Sequence, residues 1–303
     1  MNLRKQLLSF VILSGYLSFT SCSKTAETPT LFEKQFEHFN VKSGFDNTVQ
    51  LATTTWTVSY VKDETSGEYL LDSTGDKLQL TDIGTTVATE GILALTKDST
   101  GYGLNINLKE NFSEKPRLLA VAIANNGRTD IMHINQVKGE HYRLVEQVYT
   151  EIDSLRKIYT SDKECTPITL SNNSDKDQFM PDAGLFEHVS YQSEFASDDY
   201  GAFDWMSQDS LLVQTPDLIK DGAIVWSNML PYVKGVSSKA FDNGSSTLIR
   251  AHSSILLTGY VTYCERTCQY TFTIKNEDTG YRFKVNGLWH QRVPISSHMI
   301  FND

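Results

Sequence analysis

The sequence predicts a mainly β protein with two β-rich parts and one helix between them. Aromatic residues make up 11 % of the 303 residues, and aromatic residues favour strands. Short runs in which apolar and polar residues alternate are separated by turn sequences such as STG, NNG and NEDTG. The longest meander, SSILLTGYVTYCERTCQYTFTIKNEDTGYRFKVNGLW, lies near the C-terminal end. The length fits about two domains of roughly 150 residues each.

Residues 1–21 have the layout of a secretory signal peptide. In MNLRKQLLSFVILSGYLSFTSC a short basic segment is followed by an apolar stretch and then by small residues before Cys22. The segment resembles a bacterial lipoprotein signal, which implies that Cys22 is acylated; an ordinary cleaved signal is the alternative. Because acyl chains give durable attachment, we expect a protein held at the outer membrane, on its cell-surface or its periplasmic face. Residues 22–36 are expected to be a flexible tether.

The composition argues against several classes of partner and activity. The net charge is −10, and so acidic a surface repels nucleic acid phosphates and anionic lipid heads. We therefore expect no nucleic acid partner. The sequence contains no P-loop, dinucleotide fingerprint, GxSxG or HExxH motif, so we expect no cofactor and no metal, and enzymatic activity is not favoured.

Residues 37–139 are predicted to form an antiparallel β-sandwich. FNV, TVQLA and TTTWTVSYV place apolar residues at every second position, and GILALTK, YGLNINLKE, RLLAVAIA and TDIMHINQV follow. A single Trp in an alternating strand normally faces the core, so Trp56 is predicted to be structural. Residues 62–91 are expected to add a hairpin, since EYLLD and KLQLT flank STG.

Residues 37–139 also resemble a BACON domain. The matching features are an opening strand with a Gly-containing turn, the Trp-Thr-Val strand at Trp56, Arg117 ahead of an alternating strand, and a closing Ile-x-Gln at Ile134 and Gln136. The resemblance implies an immunoglobulin-like sandwich of a kind common in exported Bacteroidetes glycan-degradation proteins. It further implies either carbohydrate binding or a spacer role that holds another domain away from the membrane.

An apolar stripe predicts a connector helix over residues 140–161. Its members lie three or four residues apart, the spacing of one helical face, and are Leu144, Val148, Ile152, Leu155 and Tyr159. We expect this helix to pack on a neighbouring domain, with a partner-binding helix as the alternative.

Residues 162–184 are predicted to be a loop. Asn173, Asp175 and Asp177 alternate as at the start of a calcium loop. An EF-hand, however, requires Gly where Gln178 stands, so EF-hand binding is disfavoured.

Residues 185–303 are predicted to be a second β domain, a sandwich or jelly-roll-like fold of no recognised family. Its candidate ligand site combines acidic and aromatic side chains, because carboxylates accept hydrogen bonds from sugar hydroxyls while rings cover the apolar face of a pyranose. The candidate residues are Asp198, Asp199, Tyr200, Asp204, Trp205, Trp226 and Trp289. A carboxylate pair for glycoside hydrolysis and an ordinary loop with core aromatics are the alternatives.

Two of the cysteines could form a disulfide. Cys264 and Cys268 flank the sequence ERT, which we interpret as a turn between two strands, so that the strand ends would be neighbours. Free thiols are the main alternative. A zinc half-site is disfavoured, because no second Cys/His pair with suitable spacing follows.

Together these features favour a lipid-anchored cell-envelope protein that binds glycan or assists glycan-binding partners. The first domain would act as a spacer and the second would hold the ligand. The expected partners are the membrane, through the N-terminal lipid, and a polysaccharide or other envelope proteins. An adhesin or assembly scaffold without a small ligand is one alternative, and a glycan hydrolase is another.

Overall fold

Strands dominate the computed structural model, which describes residues 30–208, 210–241 and 245–302. This confirms the predicted mainly β class. The predicted signal peptide and Cys22 lie outside the described residues. Within those residues, no helix is long and apolar enough to span a bilayer.

The first part of the chain forms two four-stranded sheets around one core. One sheet has the order β1-β8-β7-β3 and the other has the order β2-β6-β5-β4. A 3-10 helix (Lys34–Phe36) precedes β1 (His38–Val41), β2 (Phe45–Gln50), β3 (Thr57–Asp63), β4 (Gly84–Val87), β5 (Leu93–Lys97), β6 (Gly103–Leu108), β7 (Arg117–Asn125) and β8 (Arg128–Gln136). β1 pairs with β8 in parallel, and the other pairings are antiparallel.

Trp56 lies fully buried in this core, as predicted. Its indole N–H donates to the carbonyl oxygen of Gly101 at 2.7 Å, and the Lys97 ammonium lies 4.5 Å from the centre of its ring. The expected extra hairpin within residues 62–91 appears only as isolated bridges, among them Leu71 to Lys77.

The predicted connector helix is wrong. Residues 140–161 instead contain β9 (Tyr142–Glu151), a 3-10 turn (Asp153–Leu155) and β10 (Lys157–Ser161). β9 pairs along a later strand, and the register shifts between its residues Leu144 and Glu146. The residues of the predicted stripe do not share one face: Leu144 and Tyr159 are half-buried, whereas Val148 and Leu155 are exposed. Tertiary pairing with a long neighbouring strand therefore decides the structure here.

The second part of the chain is built on one sheet with two very long strands. Its strands and turns are β11 (Ile168–Asn172), β12 (Gln178–Pro181), a 3-10 turn (Ala183–Phe186), β13 (Ser190–Ala196), β14 (Leu211–Gln214), β15 (Leu218–Lys220), β16 (Ala223–Trp226), β17 (Met229–Tyr232), β18 (Gly235–Ala240), β19 (Ser246–Ile249), β20 (Ser253–Asn276) and β21 (Arg282–Asn302). β20 has 24 residues and β21 has 21. At about 3.3 Å per residue, β20 is roughly 80 Å long.

The long sheet has the order β10-β20-β21-β13-β18, and β9 and β11 also pair with β20. Three small two-stranded ladders accompany it: β12 with β19, β14 with β17, and β15 with β16. For residues 185–303 the β-rich prediction is confirmed at the level of class. The strands, however, are far longer than the short runs we inferred from the sequence.

The predicted turn between Cys264 and Cys268 is also wrong. Both residues lie inside β20, which continues through the ERT sequence, and both are buried free thiols. Four residues along a strand separate two Cα atoms by about 13 Å. A disulfide needs a Cα separation below about 7 Å, so these two cysteines cannot be bridged.

Three glycines allow the first sheets and the long sheet to approach closely. A Cβ atom on Gly44 would overlap the ring of Tyr281, and one on Gly201 would overlap the ring of Phe112. The third is Gly139, where a Cβ would meet the hydroxyl of Tyr142. Leu31–Asp303 accordingly form one compact unit rather than two separate bodies.

Replacing Gly201 should loosen this junction. Gly201→Ala adds a methyl group that overlaps Phe112 at a position where φ is +71°. We expect the free energy of unfolding to fall by about 2 to 3 kcal/mol, from left-handed backbone strain plus overpacking. Gly67→Ala is a matched control, since φ there is +78° and nothing lies within 4 Å of the added Cβ. Urea denaturation should give a loss of about 1 kcal/mol for the control; equal losses for the two variants would contradict the junction contact.

Candidate functional site

The seven predicted ligand residues do not form one site. Trp205 and Trp289 are buried, and their indole N–H groups donate to Ala202 O and to Ser193 Oγ, both at 2.9 Å. Neither ring is therefore a platform for a sugar. Asp204 lies in the turn beside Trp205, where its backbone N–H donates to the Gly201 carbonyl at 3.2 Å.

Asp198, Asp199 and Tyr200 line a cavity of about 420 Å³, here called the junction cleft. Residues of the first sheets complete its walls: Thr89, Glu90, Gly91, Lys109, Glu110 and Phe112, opposite Phe283, Lys284 and Asn286 of the long sheet. Asp199 accepts hydrogen bonds from the backbone and side-chain nitrogens of Asn286, at 2.7 and 3.1 Å. Its carboxylate therefore fixes the loop, whereas exposed Asp198 is the better placed to receive a ligand.

Glu110 is a buried carboxyl at the inner end of the junction cleft. Burial raises its pKa above the ordinary range, and hydrogen bonds from the Gly44 backbone and the Asn276 side chain and the charge of Arg117 oppose the rise only in part. The folded chain therefore binds this proton more tightly than the unfolded chain does.

Glu110 should make stability depend on pH. Because the folded pKa is raised, the unfolding free energy should fall as pH rises from the unfolded value near 4.5 through the folded value, and should then level off. Glu110→Gln should flatten this slope and be more stable than the natural chain above that window. Urea midpoints measured between pH 4.5 and 8 test this, with exposed Glu90→Gln as the control. An unchanged slope in Glu110→Gln would refute it.

A second candidate site is the apolar hairpin, defined as residues 211–232. β14 pairs with β17 and β15 pairs with β16, so the two arms run over residues 211–220 and 223–232. Asp221 and Gly222 join the arms with φ values of +52° and +78°. A two-residue hairpin turn of this kind needs a positive φ at both central residues, and the sequence Asp-Gly favours that conformation.

One face of the apolar hairpin packs on the protein. Near the turn, Leu218, Val225 and Trp226 pack in a small cluster with Cys264 and Val293 of the long strands. Towards its base, Val213 and Tyr232 are fully buried in the main core of the second part. The hairpin is therefore held by two separate apolar contacts.

Several aliphatic side chains of the apolar hairpin are exposed, together with polar Gln214, Asp217 and Ser227. Leu212, Ile219, Ile224 and Met229 expose between 48 and 60 % of their surface. A two-stranded ladder that covers a core normally alternates apolar residues inside with polar residues outside. Exposed aliphatic residues on the outer side of such a ladder favour an apolar environment around part of it.

Arg266 fastens the middle of the apolar hairpin to the long sheet. Its guanidinium is almost completely buried and donates to the carbonyl oxygens of Asp217 at 2.9 Å and of Pro216 at 2.6 Å. It also donates to Gln291 at 2.7 Å and lies 5.0 Å from the ring centre of Trp289. Burial lowers its pKa, while the carbonyls replace the water that the buried cation has lost.

The apolar hairpin also forms one wall of a cavity of about 290 Å³, here called the hairpin pocket. β13 and β18 supply the opposite wall. The residues that line it are Tyr191, Gln192, Ser193, Trp226, Asn228, Met229, Leu230, Pro231, Ser237, Ser238, Lys239 and Gln291. Of the predicted ligand residues, only Trp226 lies here, half-buried and 4.6 Å from Tyr191 between ring centres.

Sequence reasoning missed the hairpin and the role of Arg266. Asp221-Gly222 between two apolar runs is a strong hairpin signal that could have revealed the first. Nothing in the local sequence marks Arg266, because its partners lie about 50 residues away along the chain.

Among the described residues, no group of three or more His, Cys, Asp or Glu is arranged to hold a metal ion. No protein-family model matches the chain, and no curated protein matches it either. Solved structures similar to it include the following two. The crystal structure of a lamprey immune protein has a TM-score of 0.38 and 10 % identity, over 90 % of this chain and 94 % of that one. Parasporin-2, a Bacillus thuringiensis toxin that recognizes cancer cells, has a TM-score of 0.28 and 7 % identity, over 54 % and 74 %. At these values neither likeness supports a functional assignment.

Proposed function

We propose that the protein is a lipid-anchored envelope protein that inserts its apolar hairpin into a membrane. The observation that carries the proposal is the exposure of Leu212, Ile219 and Ile224 on a hairpin whose inward face is also apolar. In water such a face is unfavourable. In hydrocarbon each aliphatic side chain contributes about 1.5 to 3 kcal/mol.

The length of the hairpin arms supports insertion. Each arm, residues 211–220 and 223–232, has ten residues. A strand needs about 9 to 11 residues to cross the hydrocarbon layer. A lone hairpin would leave backbone N–H and C=O groups unpaired along both edges, so hairpins from several copies must pair side by side once inserted.

The predicted anchor and the charge fit the same function. Acylation at Cys22 would keep the chain close to a bilayer, where a released hairpin needs to move only a short distance. The net charge of −10 predicts a preference for zwitterionic over anionic lipid surfaces. We place the protein at the outer membrane, on its cell-surface or its periplasmic face.

Dye release from phosphatidylcholine vesicles tests the proposal. The mature chain should release dye, and the double variant Leu212→Ser, Ile224→Ser should do so at least about a hundredfold more slowly, because two apolar groups no longer enter hydrocarbon. Phe179→Ser is the matched control: Phe179 is 72 % exposed but lies on β12, away from the hairpin.

The control should release dye at the natural rate. Absence of release by the natural chain at any lipid composition would refute the proposal. Equal slowing by Phe179→Ser would show general surface hydrophobicity instead of a specific hairpin.

A glycan-binding accessory role is the second candidate, and the junction cleft favours it. Exposed Asp198 and the ring of Tyr200 share that cleft with Lys109 and Lys284, so acceptors, donors and an aromatic ring converge. Calorimetry of the natural chain and of Asp198→Asn against a polysaccharide panel tests this role. Binding that Asp198→Asn weakens would support it. No binding by any polysaccharide would favour an adhesin or assembly scaffold, and product formation would favour a hydrolase.

We also propose the finer fold assignments. For residues 37–139, two four-stranded sheets around buried Trp56 support an immunoglobulin-like sandwich of the BACON type. For residues 185–303, strands of 24 and 21 residues favour one elongated sheet over a jelly roll.

A further inference from the structure

The hairpin pocket presents hydrogen-bond donors and lacks carboxylates. None of its lining residues within the described chain is Asp or Glu, although the protein carries 37 acidic residues against 27 basic ones. Its single charged group is the ammonium of Lys239. A ligand that complements these walls must supply acceptors and negative charge.

Trp226 contributes its aromatic ring to the wall of the hairpin pocket. Its indole Nε1 is buried and has no hydrogen-bond partner in the described part of the chain. Because this nitrogen has almost no accessible surface, a molecule in the pocket cannot reach it, so Trp226 offers a ligand its ring and not its N–H. Trp289, by comparison, has its indole N–H satisfied by Ser193.

The aromatic residues define the shape of the ligand. The rings of Tyr191 and Trp226 lie 4.6 Å apart with an interplanar angle of 36°, and Met229, Leu230 and Pro231 add apolar surface. Asn228, Ser237 and Ser238 add polar groups around them. A saturated ring with one apolar face and several hydroxyls fits such a mixture, and about 290 Å³ admits one or two sugar units.

We propose that the hairpin pocket binds a sugar that carries a carboxylate, of the uronic acid class. The carboxylate pairs with Lys239, the sugar hydroxyls bond to Asn228, Ser237 and Ser238, and the apolar face of the sugar lies against the aromatic rings. This assignment rests on the proposed membrane function and adds to it a ligand that controls the release of the hairpin from the sheet.

The control follows from the position of the pocket between two separable walls. Trp226 and Asn228 belong to the apolar hairpin, whereas Gln192 and Lys239 belong to the sheet beneath it. A ligand that touches both walls binds only the closed hairpin. At a concentration of 100 times its dissociation constant, it lowers the population of the released hairpin about a hundredfold.

Calorimetry of the full mature chain with glucuronate tests the site without any membrane. Glucuronate should bind at least about tenfold more tightly than glucose, which has the same ring without the carboxylate. Lys239→Gln should reduce glucuronate binding to the level of glucose, and Trp226→Leu should weaken both by about tenfold, because the aromatic face is lost. Lys284→Gln, at a lysine of the junction cleft, should leave binding unchanged.

The same samples report on the hairpin through hydrogen exchange. Glucuronate should slow exchange in residues 223–232 of the natural chain but not in Lys239→Gln. Equal binding of glucose and glucuronate would overturn the assignment. So would binding of acetate as tight as that of glucuronate, full binding by Lys239→Gln, or no binding at millimolar concentrations.

Failure of this site and failure of the membrane function are distinguishable. If vesicles stay intact while glucuronate binds as described, only the membrane proposal fails. If vesicles leak through the hairpin while glucuronate does not bind, only the sugar site fails.

Discussion

A chain whose apolar hairpin is tied to the long sheet should release vesicle dye at least about tenfold more slowly than the natural chain. Val225 of the hairpin and Cys264 of β20 line the same small cavity of about 200 Å³, and both belong to one apolar cluster. Oxidised Val225→Cys can therefore form a disulfide with Cys264 that prevents the hairpin from leaving. Insertion of a ten-residue arm requires complete separation from the sheet, so the loss should be nearly total.

Reduction of that disulfide should restore dye release. Val225→Cys combined with Cys264→Ser is the matched control, because it has the same hairpin substitution but cannot form the bond. Mass spectrometry without reductant identifies the cross-linked fraction. Rapid dye release by chains that are fully cross-linked would rule out hairpin insertion, whatever the hairpin variants at Leu212 and Ile224 show.

Removing the guanidinium of Arg266 should have the opposite effect. Arg266→Met keeps most of the side-chain volume but leaves the carbonyls of Pro216 and Asp217 without their donors. Hydrogen bonds from a charged donor contribute about 1.5 to 3 kcal/mol each, so we expect the closed hairpin to lose about 3 kcal/mol. Release of the hairpin then becomes roughly a hundredfold more frequent.

Hydrogen exchange measures this directly, as faster exchange within residues 211–232, and dye release should rise in parallel. Arg292→Met is the control, since Arg292 is a mostly buried arginine of the same sheet that pairs with Glu164 and not with the hairpin. Exchange in Arg266→Met that rises equally over the whole chain would mean global destabilisation. The fastening role of Arg266 would then be disproved.

The class of the fold could be predicted because it depends on local patterns. Alternation and turn sequences are present in each short strand of the first part, and Trp56 occupies the core position that its alternating strand predicts. Local patterns could not have corrected the wrong prediction of a connector helix. The bulge near Leu144 and Glu146 depends on pairing with β20, more than 100 residues later in the chain.

Local sequence also could not reveal which of the candidate ligand residues lie together in space. Asp198, Asp199 and Tyr200 lie together because they are adjacent in sequence, and they reach a cleft only because the first sheets supply its other wall. Trp205 and Trp289 have the composition of a sugar platform but are core residues. Which face of a strand is buried depends on the neighbouring sheet, and the sequence does not reveal that neighbour.

The continuity of β20 has a consequence for how the molecule opens. One edge of this single strand is covered in succession by three short strands: β11 pairs at residues 253–257, β10 at 261–265 and β9 at 268–276. Each short strand can detach without breaking the ladder between β20 and β21 on the other edge. Local detachment of one short strand would therefore expose only the part of the β20 edge that this strand covers. The pairing at the other two parts of the edge would remain.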